Sequence, residues 1–252
     1  MRSWIGSKAF STTSQPCRPI DVQMSTKSRT DEAYAFPSVD QADEQGFLAY
    51  GRDLSPERLI SAYESGIFPW YEEGQPILWW SPPQRMVLYP DGFRISRSLK
   101  QTLRSGKFEL RIDTAFEQVI EACAIIERDG QTGTWITPEM TQAYKHLHDL
   151  GFAHSFESYV DNELVGGLYG VSLGQTFFGE SMFSRISDAS KVAFAALVSF
   201  AKTKGFAFID CQLYTEHLAS LGAVEIPREQ FQHELKSALA AEDLTGKWTS
   251  YA

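Results

Sequence analysis

The sequence predicts an α+β fold, with a small N-terminal α/β unit ahead of a larger domain built on a central, mixed but mostly antiparallel sheet. Two observations carry this. From Ala153 to Ser184 the chain alternates like an antiparallel meander, with helical stretches before it and a helix, a strand and further helices after it. The Pro82-Pro83 pair interrupts two strand-like stretches and marks the boundary between the units. No internal repeat is visible, and 252 residues are enough to bury a sizeable core.

Residues 1–35 are rich in Ser, Thr and Arg, lack periodicity and carry no acid before Asp21. That composition overlaps with an organellar transit peptide; the plainer expectation is a disordered tail or an upstream-start extension, with Met24 as the start. In the small unit, residues 36–85, Ser55 caps a short helix with Pro56 in its first position, Leu59, Ile60 and Tyr63 on one face and Gly66 as terminator. "PILWWS" and "MVLYP" read as strands on either side of the Pro pair, Trp79 and Trp80 being core residues.

The larger domain, residues 86–252, opens on the helix "ISRSLKQTLRSG", ended by Gly106, and the strand "FELRID". "AFEQVIEACAII" and "PEMTQAYKHLHDLG" are helices. "DN" and "LGQ" make the turns of the meander. A helix over 188–204, the strand "FAFIDCQL" and the helices "HLASLGA" and "REQFQHELKSALAA" complete the chain.

Composition excludes some classes. No apolar run approaches the roughly 18–20 residues that cross a bilayer, so no membrane span is expected. Cys17, Cys123 and Cys211 are scattered and odd in number, which reads as reduced thiols in a cytosolic protein. His146 and His148 lie about 200° apart on a helix and cannot share a metal. The net charge of −9 argues against non-specific nucleic-acid binding but permits a local basic patch.

Several residues point to chemistry. In "FAFIDCQLY" one strand face carries Ile209, Cys211 and Leu213, and the other runs from Phe208 to Asp210 and Gln212, turning polar within a buried strand. A buried Asp requires a partner, either a structural hydrogen-bond network or a substrate. Glu180, at the junction "FFGESMFSRISDASKVAFAAL" (177–197), adds a second carboxylate. Two carboxylates and an amide could orient and deprotonate an amine, or could satisfy one another or Arg185. Trp70 and Trp135 sit in loops, as lids on the core or as platforms for a flat ligand. Residues 94–111 hold six basic residues and one acid, and Arg97, Lys100 and Arg104 fall within about 60° of one another, as a solvated face or a phosphate-tracking surface.

Taken together, "DLSPERL", "GIFPWY", "PILWWSP", "ISRS", "GTWIT", "YKHLHDLG", "AHSFE", "ELVGGLYGV", "FFGESMFSR", "ASK", "IDCQ" and "ASLGAVEIPR" resemble the bacterial leucyl/phenylalanyl-tRNA–protein transferases, in family order from about residue 46 to 231. The resemblance implies a small N-terminal domain followed by an N-acetyltransferase-like domain. It implies transfer of Leu, Phe or sometimes Met from aminoacyl-tRNA to the N-terminal Arg or Lys of a protein, marking it for N-degron proteolysis in the cytoplasm. No cofactor and no metal are implied, and a monomer is expected.

By position, the resemblance makes Asp210 and Gln212 the catalytic pair and Glu180 the acceptor-binding carboxylate. Trp70 and Trp135 would hold the terminal adenosine of the tRNA, and Arg97, Lys100 and Arg104 its phosphates. Leu168, Phe177, Met182, Phe194, Leu197 and Ile209 would line the donor side-chain pocket. "GRD" at 51–53, Thr215 and Ala201 depart from the usual family residues, and the rearranged helix 191–204 leaves the Leu-versus-Phe preference open. Two competing readings are an acetyl-CoA-dependent N-acetyltransferase and a non-catalytic RNA-binding module. The first lacks its Gly-rich phosphate turn in "SRISDASK". The second leaves Asp210, Gln212 and Glu180 unexplained.

Overall fold

The computed structural model describes residues 32–51, 53–125 and 136–251. The small unit holds β1 (Phe47–Gly51), α1 (Pro56–Glu64), β2 (Phe68–Pro69) and β3 (Ile77–Trp80), its three strands ordered β1-β3-β2. Pro56 opens α1 as expected, but Ser55 Oγ donates to Asp53 Oδ1 at 2.6 Å rather than capping the helix. Gly66, at φ +72°, ends it in the left-handed conformation that favours glycine. Residues 1–31 of the expected tail lie outside the described residues. Its last residues lie on α1, where Arg58 Nη2 and Ser61 Oγ donate to the carbonyls of Ala33 and Tyr34, each at 2.9 Å.

Immediately after Pro82-Pro83 the chain enters the larger sheet as β4 (Gln84–Leu88). There follow α2 (Arg97–Arg104), β5 (Glu109–Ile112), α3 (Phe116–Ile125), α4 (Pro138–Asp149), β6 (Ala153–Val160), β7 (Glu163–Leu173) and β8 (Thr176–Ser184). Then come α5 (Ala189–Lys204), β9 (Phe208–Gln212), α6 (Glu216–Ser220), β10 (Val224–Pro227) and α7 (Arg228–Ala238). Helix starts follow local chemistry: Ser96 Oγ accepts from Leu99 N at 3.1 Å, and Thr137 Oγ1 from Met140 N at 3.2 Å. Asp161 and Asn162, at φ +52° and +62°, form the β6–β7 hairpin turn that "DN" predicts.

The large sheet runs β10-β4-β9-β8-β7-β6-β5, antiparallel throughout except for the parallel pair β8–β9, which α5 connects. This is the mixed, mostly antiparallel sheet of the predicted α+β class. One face packs on α1, α3, α4, α7 and the small sheet, the other on α2, α5, α6 and Trp248. β1, β2 and β10 were not expected, and β2, at two residues, is too short to show an alternation. Among the described residues no helix is long and apolar enough to cross a membrane.

Candidate active site

The site forms where the parallel strands part. β8 and β9 pair only at Thr176–Phe208, Phe177–Ile209 and Phe178–Asp210. Two bulges lie beside this point. Tyr169 is opposite Ser181 and Gly170 opposite Gly179, which leaves Glu180 unmatched; Met86 is opposite Gln212 and Val87 opposite Asp210, which leaves Cys211 unmatched. Gln212 takes a left-handed φ of +62°. Close approach accompanies the first bulge, since a Cβ on Gly170 would stand 2.1 Å from the Phe178 carbonyl oxygen.

The result is a fully buried polar cluster. Glu180 Oε1 accepts from Tyr63 Oη and Gln212 Nε2, both at 2.8 Å, and its Oε2 accepts from Tyr144 Oη at 3.0 Å. Tyr63 comes from α1 and Tyr144 from α4, and their hydroxyls are hydrogen-bonded to each other. Burial pushes the Glu180 carboxyl up to about 7, against the pull of these three donors, and raises both tyrosines well above their ordinary range.

Asp210 is equally buried. Arg85 grips it with two nitrogens, Nε to Oδ1 at 2.9 Å and Nη2 to Oδ2 at 2.7 Å. Arg85 also donates to the Gly66 carbonyl at 3.2 Å, and its guanidinium lies 4.7 Å from the Phe68 ring centroid and 4.5 Å from that of Phe231. Asp210 Oδ1 in turn accepts from the backbone N–H of Gln212 at 2.8 Å. Gln212 Oε1 is left buried with no hydrogen-bond partner. An unmet acceptor of that kind costs on the order of 1–3 kcal/mol, so it marks a place where a donor can bind.

Glu180, Asp210 and Gln212 thus share one cluster. Arg185 does not join it; its Nη1 donates to the Leu164 carbonyl, and Ser184 Oγ donates to the Ile186 carbonyl. Leu168, Phe177, Met182, Phe194, Leu197 and Ile209 fall into one apolar cluster on the opposite sheet face. Of these, Met182 lines a cavity of about 470 Å³, with Phe183, Ser187, Asp188, Ser190, Lys191, Glu216 and His217. The cavity lies between the end of β8 and the starts of α5 and α6.

Trp70 is half-buried, its ring centroid 5.8 Å from that of Trp80, whose Nε1 donates to the Trp70 carbonyl at 2.7 Å. Trp135 lies outside the described residues. Arg97, Lys100 and Arg104 are exposed along α2. Sequence reasoning missed Arg85, Tyr63 and Tyr144. Arg85 carried a signal: a cation inside an otherwise apolar strand needs a carboxylate, and Asp210 had the converse need. The tyrosines carried none, since on an amphipathic helix they read as core.

A family model for the leucyl/phenylalanyl-tRNA protein transferase matches residues 87–236, and one for the N-terminal domain of the same transferase matches residues 52–83. The chain is 56% identical over 218 residues to the leucyl/phenylalanyl-tRNA–protein transferase of Desulfatibacillum aliphaticivorans, covering 86% of this chain and 94% of the relative. The transferase of Syntrophus aciditrophicus (strain SB) is 55% identical, with 86% and 90% covered. That of Myxococcus xanthus (strain DK1622) is 54% identical, with 86% and 93% covered. Similar solved structures include an aminoglycoside acetyltransferase from an uncultured soil metagenomic sample (20% identical, TM-score 0.33, 46% of this chain and 84% of that one). A GCN5-related N-acetyltransferase-like protein from Streptococcus suis is 13% identical, with TM-score 0.32 and 71% and 67% covered.

The chain is therefore a transferase enzyme. It belongs to the leucyl/phenylalanyl-tRNA–protein transferase family.

Proposed function

We propose that this chain transfers Leu, Phe or Met from aminoacyl-tRNA to the α-amine of a polypeptide beginning with Arg or Lys, marking it for proteolysis, and that it acts as a cytoplasmic monomer. The observation that carries the mechanism is the buried, unpartnered Gln212 Oε1. Both ends of Gln212 are held, the side-chain amide by Glu180 and the backbone N–H by Asp210, so Oε1 is fixed as an acceptor for an amine N–H. The neutral amine attacks the ester carbonyl of the donor. The C–N bond forms, the ester C–O bond breaks, and an amine proton ends on the ribose hydroxyl that leaves. Ester aminolysis is favourable, so positioning supplies most of what the enzyme must add.

In this reading Asp210 acts through position and charge. Both of its oxygens are held by Arg85. Glu180 acts on the acceptor through Gln212, since its two oxygens already accept three hydrogen bonds. The donor side chain would enter the cavity against Met182, with Leu168, Phe177, Phe194, Leu197 and Ile209 as the wall behind. Trp70 and Trp135 would stack on the terminal adenosine. Arg97, Lys100 and Arg104 would meet phosphates.

The test is transfer of labelled Phe from tRNA to an Arg-starting peptide, with an Ala-starting peptide as control. Strong labelling of the first peptide alone is expected, and equal labelling of both would refute acceptor selectivity.

A further inference from the structure

Asp188 departs from the local rules in two ways. It stands at the start of α5 with φ +67°, a left-handed conformation in a residue that has a side chain, where glycine would avoid the strain. Its carboxylate does not cap α5 but reaches sideways to α2, accepting from Thr102 Oγ1 at 3.1 Å through Oδ2. Its other oxygen accepts from Lys191 Nζ at 2.9 Å. Lys191 beside it holds the carboxyl below the usual carboxylate range, with Thr102 adding to the effect, so it stays ionised at neutral pH.

The same residue lines the cavity, between Ser187 and Ser190. α2, which Asp188 grips from that position, carries the exposed Arg97, Lys100 and Arg104. Leu99 on the buried side of α2 belongs to the same apolar cluster as the inner face of α5, so the helices are packed as well as tied. Packing sets how closely the helices approach. A directional hydrogen bond at one point sets how far α2 slides or turns along α5.

We propose that Asp188 is a positioning residue that locks the cationic helix α2 to the mouth of the cavity, so that phosphates held on α2 deliver the aminoacyl end of the tRNA into it. The inference rests on the reading above, in which α2 meets tRNA phosphates and the cavity takes the donor side chain. The retained left-handed aspartate then has a reason, because glycine would ease the backbone but release α2. Thr102 is the other half of the lock, and it lies outside both the polar cluster and the cavity.

The experiment measures steady-state transfer to an Arg-starting peptide from two donors, Phe-tRNA and a minimal Phe-adenosine ester, in full-length variants with melting temperatures recorded. Thr102→Val is expected to raise KM for Phe-tRNA about three- to tenfold, the worth of one partly exposed hydrogen bond to a carboxylate, with kcat and the minimal donor unchanged. Thr102→Ser is expected to restore the wild-type KM. Asp188→Gly is expected to melt no lower than wild type yet show at least the same KM rise for Phe-tRNA. Charge reversal of Arg97, Lys100 and Arg104 to Glu provides the reference, with a larger rise on the same donor. If that reversal raises KM and Thr102→Val and Asp188→Gly do not, the lock is wrong and the tRNA-facing helix stands. Equal losses on both donors would also overturn the lock, by making Thr102 a structural support. If the reversal itself leaves KM unchanged, α2 does not meet tRNA and both readings fall.

Discussion

At the scale of single residues, Gln212 and Asp210 call for different experiments although they sit two positions apart. Asp210→Asn looks conservative, but it removes the charge that balances a fully buried Arg85, and breaking such a pair costs roughly 3–5 kcal/mol. That variant is expected to melt well below wild type, so its loss of transfer says little about chemistry. Gln212→Ala is the cleaner probe. It leaves the Arg85–Asp210 pair intact and deletes the unpartnered acceptor and one of the three donors to Glu180. Single-turnover transfer from Phe-tRNA is expected to fall by about two orders of magnitude, the scale of lost positioning of the attacking amine, with a modest fall in melting temperature. A folded Gln212→Ala enzyme with wild-type single-turnover rates would remove Gln212 from the mechanism.

At the scale of elements, the proposed function divides the handling of tRNA between charge on α2 and stacking at the end of β2. Three phosphate contacts from α2 imply a log–log dependence of binding on salt with a slope of roughly −2 to −3, shallow for a nucleic-acid-binding protein. Replacing Arg97, Lys100 and Arg104 by Glu is expected to abolish most of that slope; an unchanged slope would mean that the phosphates are held elsewhere. Trp70→Ala is expected to raise the KM for Phe-tRNA about tenfold, the lower part of the range for one lost base stack, without changing the salt slope. Because Trp70 also packs on Trp80, the comparison needs a melting curve, and a KM that moves only in proportion to lost folded protein would return Trp70 to the role of a lid.

For the whole molecule, two buried glutamates tie stability to pH. Burial raises both Glu180 and Glu157 from 4.5 to about 7. Glu157 is held by Ser155 Oγ and by Thr114, whose Oγ1 donates at 2.9 Å, and it has no part in the proposed chemistry. For a carboxyl raised on folding, the native state holds its proton more tightly than the unfolded chain does. Its contribution is therefore fully present below about pH 4.5 and is lost as pH rises through about 7. Glu157→Gln should lack that loss: between pH 5 and pH 8 its urea midpoint is expected to fall less than that of the wild type. Parallel midpoints in the two proteins would show that Glu157 is ionised in the native state throughout this range.

Much of this was written locally. Caps, turn residues and the alternation of β6, β7 and β8 act over a few positions, so Gly66, the Asp161-Asn162 turn and the meander were readable in order. Asp210, Gln212 and Glu180 could be singled out because a polar side chain inside an apolar run is a local anomaly. Their partners were not readable. Tyr63 is 117 residues from Glu180 and Arg85 is 125 from Asp210, and nothing in a neighbourhood of ten residues specifies which distant group will meet a buried charge. The two bulges are likewise invisible in sequence, because one unmatched residue arises only when two strands pair, yet they decide which sheet face Glu180 and Gln212 serve. Sequence alone determined the α+β class, the family and the residues that must find partners. Only the tertiary structure decided that Asp210 answers to Arg85, that Gln212 keeps a free acceptor, and that Asp188 joins α2 to the cavity, because each depends on contacts between segments the chain brings together only by folding.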